Sequence, residues 1–127
     1  MSPFEKAKRK FNENKINEAI ELYKQCIKEN ICIADSYINM AQCYTELNKN
    51  LEAMVILEEG IIKLSKILYT SNKEKIAEFY CKLGYAYRLL KYYNLAHQAF
   101  YTASVFAPDN KTYQNNLNDI EKILFNV

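Results

Sequence analysis

The chain of 127 residues is half hydrophobic and 13% aromatic, and its formal net charge is +2. A chain with this apolar content can bury a core of its own, which excludes an intrinsically disordered segment. The mild positive charge argues against nucleic acid as a partner, and no apolar run approaches the roughly 18 residues that predict a membrane-spanning helix. We therefore expect a globular domain that binds neither nucleic acid nor membrane.

The first predicted element is a helix at the N-terminus. Ser2, Pro3 and Glu5 form a capping box, in which Ser is the N-cap, Pro takes the first helical position and Glu lies three residues after the cap. A basic run at residues 6–10 follows on the same helix. A solvated helix face is the simplest explanation of that run, and nuclear import or an acidic partner is the alternative.

A repeated spacing connects the elements that follow. Ala19 and Ala53 lie 34 residues apart in similar local patterns of small and bulky residues, and this period indicates an array of helical hairpins. The next interval, from Ala53 to Ala96, is 43 residues and therefore nine residues longer. Residues 61–76 contain neither Gly nor Pro, so the extra length predicts additional turns on two neighbouring helices rather than a loop.

The third unit carries the most complete form of the pattern. It resembles the tetratricopeptide repeat at Tyr80, Leu83, Gly84, Tyr87, Tyr93, Ala96, Phe100, Ala103 and Pro108. The second unit matches at Tyr37, Met40, Ala41, Tyr44, Ala53, Leu57 and Gly60, and the first at Ala7, Phe11, Ile16, Ala19, Tyr23 and Cys26. Each unit is then a helical hairpin whose small residues lie where its two helices cross, with Gly84 facing Ala96.

The resemblance implies an all-α fold, a right-handed superhelix of the tetratricopeptide type with three helix-turn-helix repeats and a C-terminal capping helix. It implies a single domain over residues 1–127, with repeats at about 3–33, 34–67 and 77–110, an elongated second hairpin that extends to 76, and a cap at 111–125. Local signals agree with these boundaries. Ser71 and Glu74 predict a second capping box, Pro108 predicts a helix end near Ala107, and Tyr113, Leu117, Ile120 and Leu124 recur at helical spacing in the cap.

In this family the concave wall of the array binds an extended peptide or a helix, so the resemblance implies a protein–protein interaction adaptor or scaffold. The groove-facing positions of the repeats include here Lys8, Phe11, Ile38, Asn39, Gln42, Lys82, Tyr85 and Arg88, and the cap adds Asn115, Asp119 and Lys122. We expect a protein or peptide partner with an acidic or C-terminal carboxylate group, because Lys82 and Arg88 can hold a carboxylate. Asn39 is the strongest single candidate, since a carboxamide both donates to and accepts from a peptide bond.

Two alternative functions stay open. Some tetratricopeptide domains are co-chaperones that bind the acidic C-terminal tails of heat-shock chaperones through a set of Lys, Arg and Asn residues. Asn39 matches that set and Lys82 replaces an Arg, but Glu78 occupies a place where it would repel a carboxylate. The other alternative is a self-associating structural module, whose elongated hairpin docks on a second copy through Ile62, Leu64, Leu68 and Tyr69. We favour a monomer, in which those side chains pack within their own hairpin, over a dimer.

The sequence offers no catalytic or metal-binding pattern. Its four cysteines form no CxxC pair, and its one histidine, His97, has no carboxylate that the sequence can place beside it. Gly-rich phosphate loops and the G-x-S-x-G elbow are missing as well. We therefore expect no enzyme activity, no metal, no cofactor and a structural His97, in a cytoplasmic or nuclear protein with reduced thiols.

Overall fold

The structure is a computed structural model that describes residues 1–68 and 72–126 of the chain. These ranges contain seven α-helices and no β-strand. The helices are α1 (Pro3–Asn12), α2 (Ile16–Lys28), α3 (Ile33–Glu46), α4 (Asn50–Leu68), α5 (Lys73–Leu89), α6 (Tyr93–Phe106) and α7 (Lys111–Phe125). The chain divides into two compact units, residues 1–60 and 61–127, and α4 contributes to both. The predicted all-α fold of three helical hairpins and a C-terminal helix is confirmed.

In the first unit, α2 packs against both α1 and α3. α1 begins as the capping box predicts, because the Ser2 hydroxyl accepts a hydrogen bond from the backbone N–H of Glu5 at 3.2 Å. The small residues of the repeat pattern lie inside the unit, and Ala7, Ala19 and Cys26 are completely buried. Small side chains allow helix backbones to approach closely, so the repeat pattern accounts for the packing on α2.

Asparagine closes the turns of the first unit. Asn14, Asn30 and Asn48 each lie two residues beyond the end of a helix, with φ between 59° and 62° in the left-handed region. The backbone N–H of the next residue returns to the helix, for example from Lys15 to the carbonyl of Lys10 at 2.8 Å. This arrangement satisfies carbonyls at the helix end, and Asn tolerates the left-handed conformation better than most residues.

In the second unit, α6 packs against both α5 and α7. The N-cap of α5 is Asn72, whose side-chain oxygen accepts a hydrogen bond from the backbone N–H of Lys75 at 3.0 Å. The predicted cap at Ser71, a residue outside the described ranges, was therefore wrong by one position, because the Asn72 carboxamide supplies the same acceptor. α6 ends at Phe106, in agreement with the end predicted near residue 107.

The extra residues of the elongated hairpin lengthen two helices. α4 has 19 residues and α5 has 17, whereas α2 has 13 and α3 and α6 have 14 each. Because a helical turn takes 3.6 residues, each elongated helix gains about one turn. The predicted extra turns are confirmed for the described residues. α5 begins at Lys73, four residues before the third repeat was predicted to start.

An aromatic ring fills the space beside Gly84. Gly84 of α5 is buried, and the atoms nearest to the place of its missing Cβ belong to the ring of Phe100, at 2.5–2.9 Å, and not to Ala96. Phe100 lies one turn beyond Ala96 on α6 and is completely buried. Gly84 therefore makes room for an aromatic ring, and its contact with Ala96 stays a prediction.

His97 of α6 has an acidic partner that the sequence did not reveal. Its Nε2 lies 3.2 Å from Oε2 of Glu121, and its ring stands edge-on to Phe125 with ring centres 5.6 Å apart. Both partners belong to α7. His97 therefore joins α6 to the C-terminal part of α7.

Candidate functional site

A pocket of about 170 Å³ opens on the first unit where residues of α1, α2 and α3 meet. Its walls are formed by Lys8, Phe11, Asn12, Tyr23, Asn39 and Gln42. Because α1 and α3 both pack on α2, their side chains converge around Tyr23. The structure thus brings together four of the predicted groove residues, Lys8, Phe11, Asn39 and Gln42.

Tyr23 is the buried wall of this pocket. Burial raises the pKa of its hydroxyl from 10.0 to about 12, and a side-chain hydrogen bond with Asn39 acts in the opposite direction. The bond joins a residue of α2 to a residue of α3 and holds the Asn39 carboxamide at the wall of the pocket.

Lys8 supplies the positive charge of the pocket. Its Nζ lies 5.6 Å from the centre of the Phe4 ring, and Phe4 stands edge-on to Tyr23 with ring centres 5.9 Å apart. A cation over an aromatic face is attracted by the ring quadrupole, which favours this position of the Lys8 ammonium group. No Asp or Glu lines the pocket. One cation and three carboxamides therefore suit a carboxylate or a peptide bond.

Ile38, the remaining predicted residue of the first unit, is buried and exposes only 4% of its surface. It precedes Asn39 on α3, and successive side chains of a helix point about 100° apart. Its burial indicates a packing role, and a direct contact of Ile38 with a partner stays a prediction.

The other three residues predicted from the repeats lie on α5 in the second unit. Lys82 and Arg88 are half-buried, and Tyr85 is exposed between them. Within the described ranges, neither cation forms an ion pair. That Lys82, Tyr85 and Arg88 share one groove with the first-unit pocket stays a prediction.

A buried residue of α7 contacts this part of α5. Asn116 accepts a hydrogen bond from the Tyr85 hydroxyl at its Oδ1, at 3.2 Å, and donates from Nδ2 to the thiol of Cys81 at 3.5 Å. The Tyr85 ring also stands edge-on to Phe100, with ring centres 5.6 Å apart. The sequence prediction missed Tyr23 because it considered mainly the first helix of each hairpin, and on α7 it chose Asn115, Asp119 and Lys122 instead of Asn116. A polar residue inside the apolar stripe of α7 was the signal available for Asn116.

A larger cavity of about 620 Å³ in the second unit has the opposite electrostatic character. It lies at the N-terminal ends of α5 and α7, and its walls include Glu74, Glu78 and Asp109. Glu78 forms an ion pair with Lys75, whose Nζ lies 3.0 Å from the carboxylate. Negative charge near a helix N-terminus is stabilised by the helix dipole, which accounts for Glu74 and Asp109 without a ligand.

Residues 1–68 and 72–126 include no helix that is both long and apolar enough to cross a membrane. In the same ranges, no group of three His, Cys, Asp or Glu side chains could hold a metal ion. Three of the four free cysteines are buried, Cys26, Cys43 and Cys81. Burial raises the pKa of each of these thiols, as expected for small packing side chains rather than reactive ones.

Helical hairpins with buried small residues, and a polar pocket on the face of the first unit, define a helical-repeat protein. A family model described as tetratricopeptide repeat matches residues 34–61 and 77–110. The chain therefore contains tetratricopeptide repeats at these two segments. No curated protein is a significant match to the sequence.

Solved structures share the fold along nearly the whole chain. The first tetratricopeptide domain of Spaghetti (RPAP3), bound to the HSP90 peptide SRMEEVD, has a TM-score of 0.79 at 20% identity, over 96% of this chain and 90% of that one. The second such domain of human RPAP3, in complex with the HSP70 peptide SGPTIEEVD, has a TM-score of 0.77 at 26% identity, over 95% and 93%. The TPR2AB domain of yeast Sti1 in a pHSP90 complex has a TM-score of 0.86 at 16% identity, over 98% and 46%.

Proposed function

We propose that the chain is a protein-interaction adaptor that binds an extended peptide carrying an acidic group. The observation that carries this proposal is the first-unit pocket, where Lys8, Asn39 and Gln42 meet and no carboxylate lines the wall. Lys8 attracts a carboxylate, and the two carboxamides can bond to both the N–H and the C=O of a peptide bond.

The size of the pocket limits what it can hold. A volume of about 170 Å³ accommodates one side chain or one terminal group, since pockets for drug-sized ligands are about 300–1,000 Å³. An extended peptide would therefore need further contacts outside the pocket. Lys82, Tyr85 and Arg88 are the residues that we propose for them.

A second candidate function is that of a co-chaperone that binds acidic C-terminal tails. The second tetratricopeptide domain of human RPAP3, which is 26% identical to this chain, forms a complex with the HSP70 peptide SGPTIEEVD, which contains three acidic residues. The expected repulsion from Glu78 is reduced, because Lys75 neutralises that carboxylate. Only Asn39 and Lys82 correspond to the residues by which such domains bind chaperone tails. We therefore propose acidic peptides as the class of partner, with chaperone tails as one member of that class.

Titration of the ¹⁵N-labelled chain by NMR tests the proposal. The probe is the peptide SGPTIEEVD, called the acidic nonapeptide below, together with its C-terminal amide and a version with both Glu changed to Gln. We expect the acidic nonapeptide to shift backbone amides around Lys8 and Asn39. Lys8→Glu should weaken binding by roughly tenfold or more, because it replaces attraction by repulsion.

The matched control is Lys28→Glu, the same charge change at an exposed position of the same unit outside the pocket. Equal losses for Lys8→Glu and Lys28→Glu would indicate non-specific charge attraction and contradict a pocket. Absence of any shift at millimolar peptide would contradict the acidic-peptide proposal. Equal binding of the amide and the free acid would contradict the co-chaperone candidate alone, since recognition would then not involve the terminal carboxylate.

Self-association has one supporting observation. Ile62 of α4 exposes 76% of its surface. Leu64, which the self-association alternative places on the same surface, is buried with 4% exposed, and its burial supports the favoured monomer. The side chain of Leu68 and all of Tyr69 lie outside the described residues. We expect a monomer in sedimentation velocity at micromolar concentration, and a dimer that Ile62→Ser dissociates would favour self-association instead.

We also propose that the adaptor acts in the cytoplasm, with the nucleus as the alternative. The four free thiols support this location, because disulfides form mainly in oxidising compartments. Imaging of a fluorescent fusion tests it, and secretion would contradict it.

A further inference from the structure

A buried polar side chain interrupts the apolar stripe of α7. Asn116 lies on the same face as Tyr113 and Ile120 and exposes 8% of its surface. Burial of a carboxamide is unfavourable unless its groups are hydrogen-bonded, and an apolar residue would pack there without that requirement. Packing of the cap therefore does not explain Asn116.

Both ends of the Asn116 carboxamide bond to α5. Cys81 and Tyr85 lie one turn apart on that helix, and Asn116 connects them. Its Nδ2 donates to Cys81 Sγ at 3.5 Å, and its Oδ1 accepts from the Tyr85 hydroxyl at 3.2 Å. Both groups of the buried carboxamide are thus hydrogen-bonded, and its oxygen is the atom that holds the Tyr85 hydroxyl.

Tyr85 is held at two points and still exposes 38% of its surface. Its ring packs edge-on against the completely buried Phe100, with ring centres 5.6 Å apart, while its hydroxyl bonds to Asn116. An exposed side chain usually loses rotamer freedom on binding, which reduces affinity. A tyrosine that is already fixed offers a large contact area with little further loss.

We infer that Asn116 positions Tyr85 as a rigid contact for the partner peptide, so that α7 belongs to the binding surface as well as capping the fold. Lys82 and Arg88 lie three residues to either side of Tyr85 on α5. The ring thus lies between two cations that suit an acidic peptide. This inference rests on the proposed function and extends it to Asn116, a residue of the second unit that does not line the first-unit pocket.

The test is a double-mutant cycle on the full chain, with the acidic nonapeptide as probe. Asn116→Leu removes both hydrogen bonds and keeps a side chain of similar size. Tyr85→Phe removes the hydroxyl and keeps the ring. Asn118→Leu is the matched control, because it makes the same change at an exposed position of α7. Calorimetry gives the dissociation constants, and circular dichroism gives the melting temperatures.

We expect Asn116→Leu and Tyr85→Phe each to weaken binding about fivefold. The double variant should bind no more weakly than either single variant, because all three lose the same bond. Asn118→Leu should change the dissociation constant less than about twofold. The melting temperature of Asn116→Leu should stay equal or rise, since a buried carboxamide is replaced by an apolar side chain.

A purely structural role for Asn116 predicts a lower melting temperature with unchanged affinity, and that result overturns the inference. Additive losses in the double variant would overturn it as well. If Asn116→Leu does not fold, Tyr85→Phe alone tests the inference: a loss of affinity of about fivefold supports it, and unchanged affinity overturns it. If the wild type binds the peptide and Lys8→Glu lowers its affinity, but Asn116→Leu and Tyr85→Phe do not, only this inference fails. If the wild type does not bind the peptide, the proposed function fails as well.

Discussion

Gly84 of α5 and Phe100 of α6 occupy complementary space, since a Cβ at position 84 would stand 2.5 Å from a ring carbon of Phe100. Phe100 is completely buried, so its ring has little room to move aside. The same ring supports Tyr85, one residue further along α5, at 5.6 Å between ring centres. The absence of a side chain at Gly84 therefore also determines where an exposed tyrosine stands.

The first prediction concerns this contact. Gly84→Ala should lower the free energy of unfolding by about 1–3 kcal/mol, the usual cost of overpacking a core. The change would otherwise favour the helix by about 1 kcal/mol, because Ala has the higher helix propensity. Urea unfolding measures the difference. Adding Phe100→Leu should recover part of the loss that Gly84→Ala causes, and a Gly84→Ala variant more stable than wild type would contradict the close approach.

The second prediction concerns the docking of α7. Ile120 is completely buried, whereas Ile123 on the same helix is exposed. Ile120→Ala should cost about 2–5 kcal/mol, as other large-to-small core changes do. Ile123→Ala should cost less than about 1 kcal/mol. Thermal or urea unfolding compares the two variants, and equal losses would show that α7 does not bury the face that carries Ile120.

The third prediction concerns the turn after α5. Lys91 has φ of 65°, a left-handed conformation that costs a residue with a Cβ roughly 1 kcal/mol or more. Lys91→Gly should therefore raise the free energy of unfolding by about 1 kcal/mol. Lys122→Gly, the same change in exposed helix, should lower it by about 1 kcal/mol. A loss of stability in both variants would argue against the left-handed turn.

The fourth prediction concerns the proposed groove. Asn39→Ala combined with Lys82→Ala should weaken partner binding by roughly 30-fold or more, because each removed contact contributes about 1–3 kcal/mol when its partner is stranded. The melting temperature should fall by no more than about 5 °C, because neither residue is fully buried and the main structural loss is the hydrogen bond of Asn39 to Tyr23. Calorimetry with Tyr101→Ala, an exposed residue of α6, is the control. A larger effect of Tyr101→Ala on affinity would place the binding surface elsewhere.

The fifth prediction concerns alkaline pH. Burial raises the pKa of the Cys43 thiol from 9.0 to about 11. The unfolded chain therefore releases this proton first, and the stability that the neutral thiol contributes is complete below pH 9.0 and is lost as the pH rises towards 11. Melting temperatures should fall over this interval, and less steeply for Cys43→Ala. Identical slopes for wild type and Cys43→Ala would contradict the prediction.

The sequence predicted the hairpins because a repeat places its small residues at fixed intervals, as Ala7 and Ala19 show in the first unit. The start of α1 and the end of α6 were also predicted correctly, because the Ser2 hydroxyl and the Pro108 ring affect only backbone groups close to them in sequence. The cap of α5 was misplaced by one residue because Ser and Asn serve equally well as N-caps. The chemistry of the two side chains therefore could not decide between Ser71 and Asn72 as the cap.

Contacts between distant residues could not be predicted in the same way. Asn116 bonds to Cys81 across 35 residues, and His97 pairs with Glu121 across 24. Each contact depends on which side chains meet once the helices have packed, and a periodic pattern does not contain that information. Part of the candidate site was predictable because α1 and α3 present equivalent repeat positions, whereas Tyr23 enters it from α2 through packing.

The asparagines at positions 14, 30 and 48 affect how this protein can be encoded. Glycine is the usual residue at left-handed helix ends, and all of its codons begin with two guanines. Both asparagine codons begin with two adenines. A gene under mutational pressure towards adenine and thymine can therefore retain these three turns, since none of them requires a guanine-rich codon.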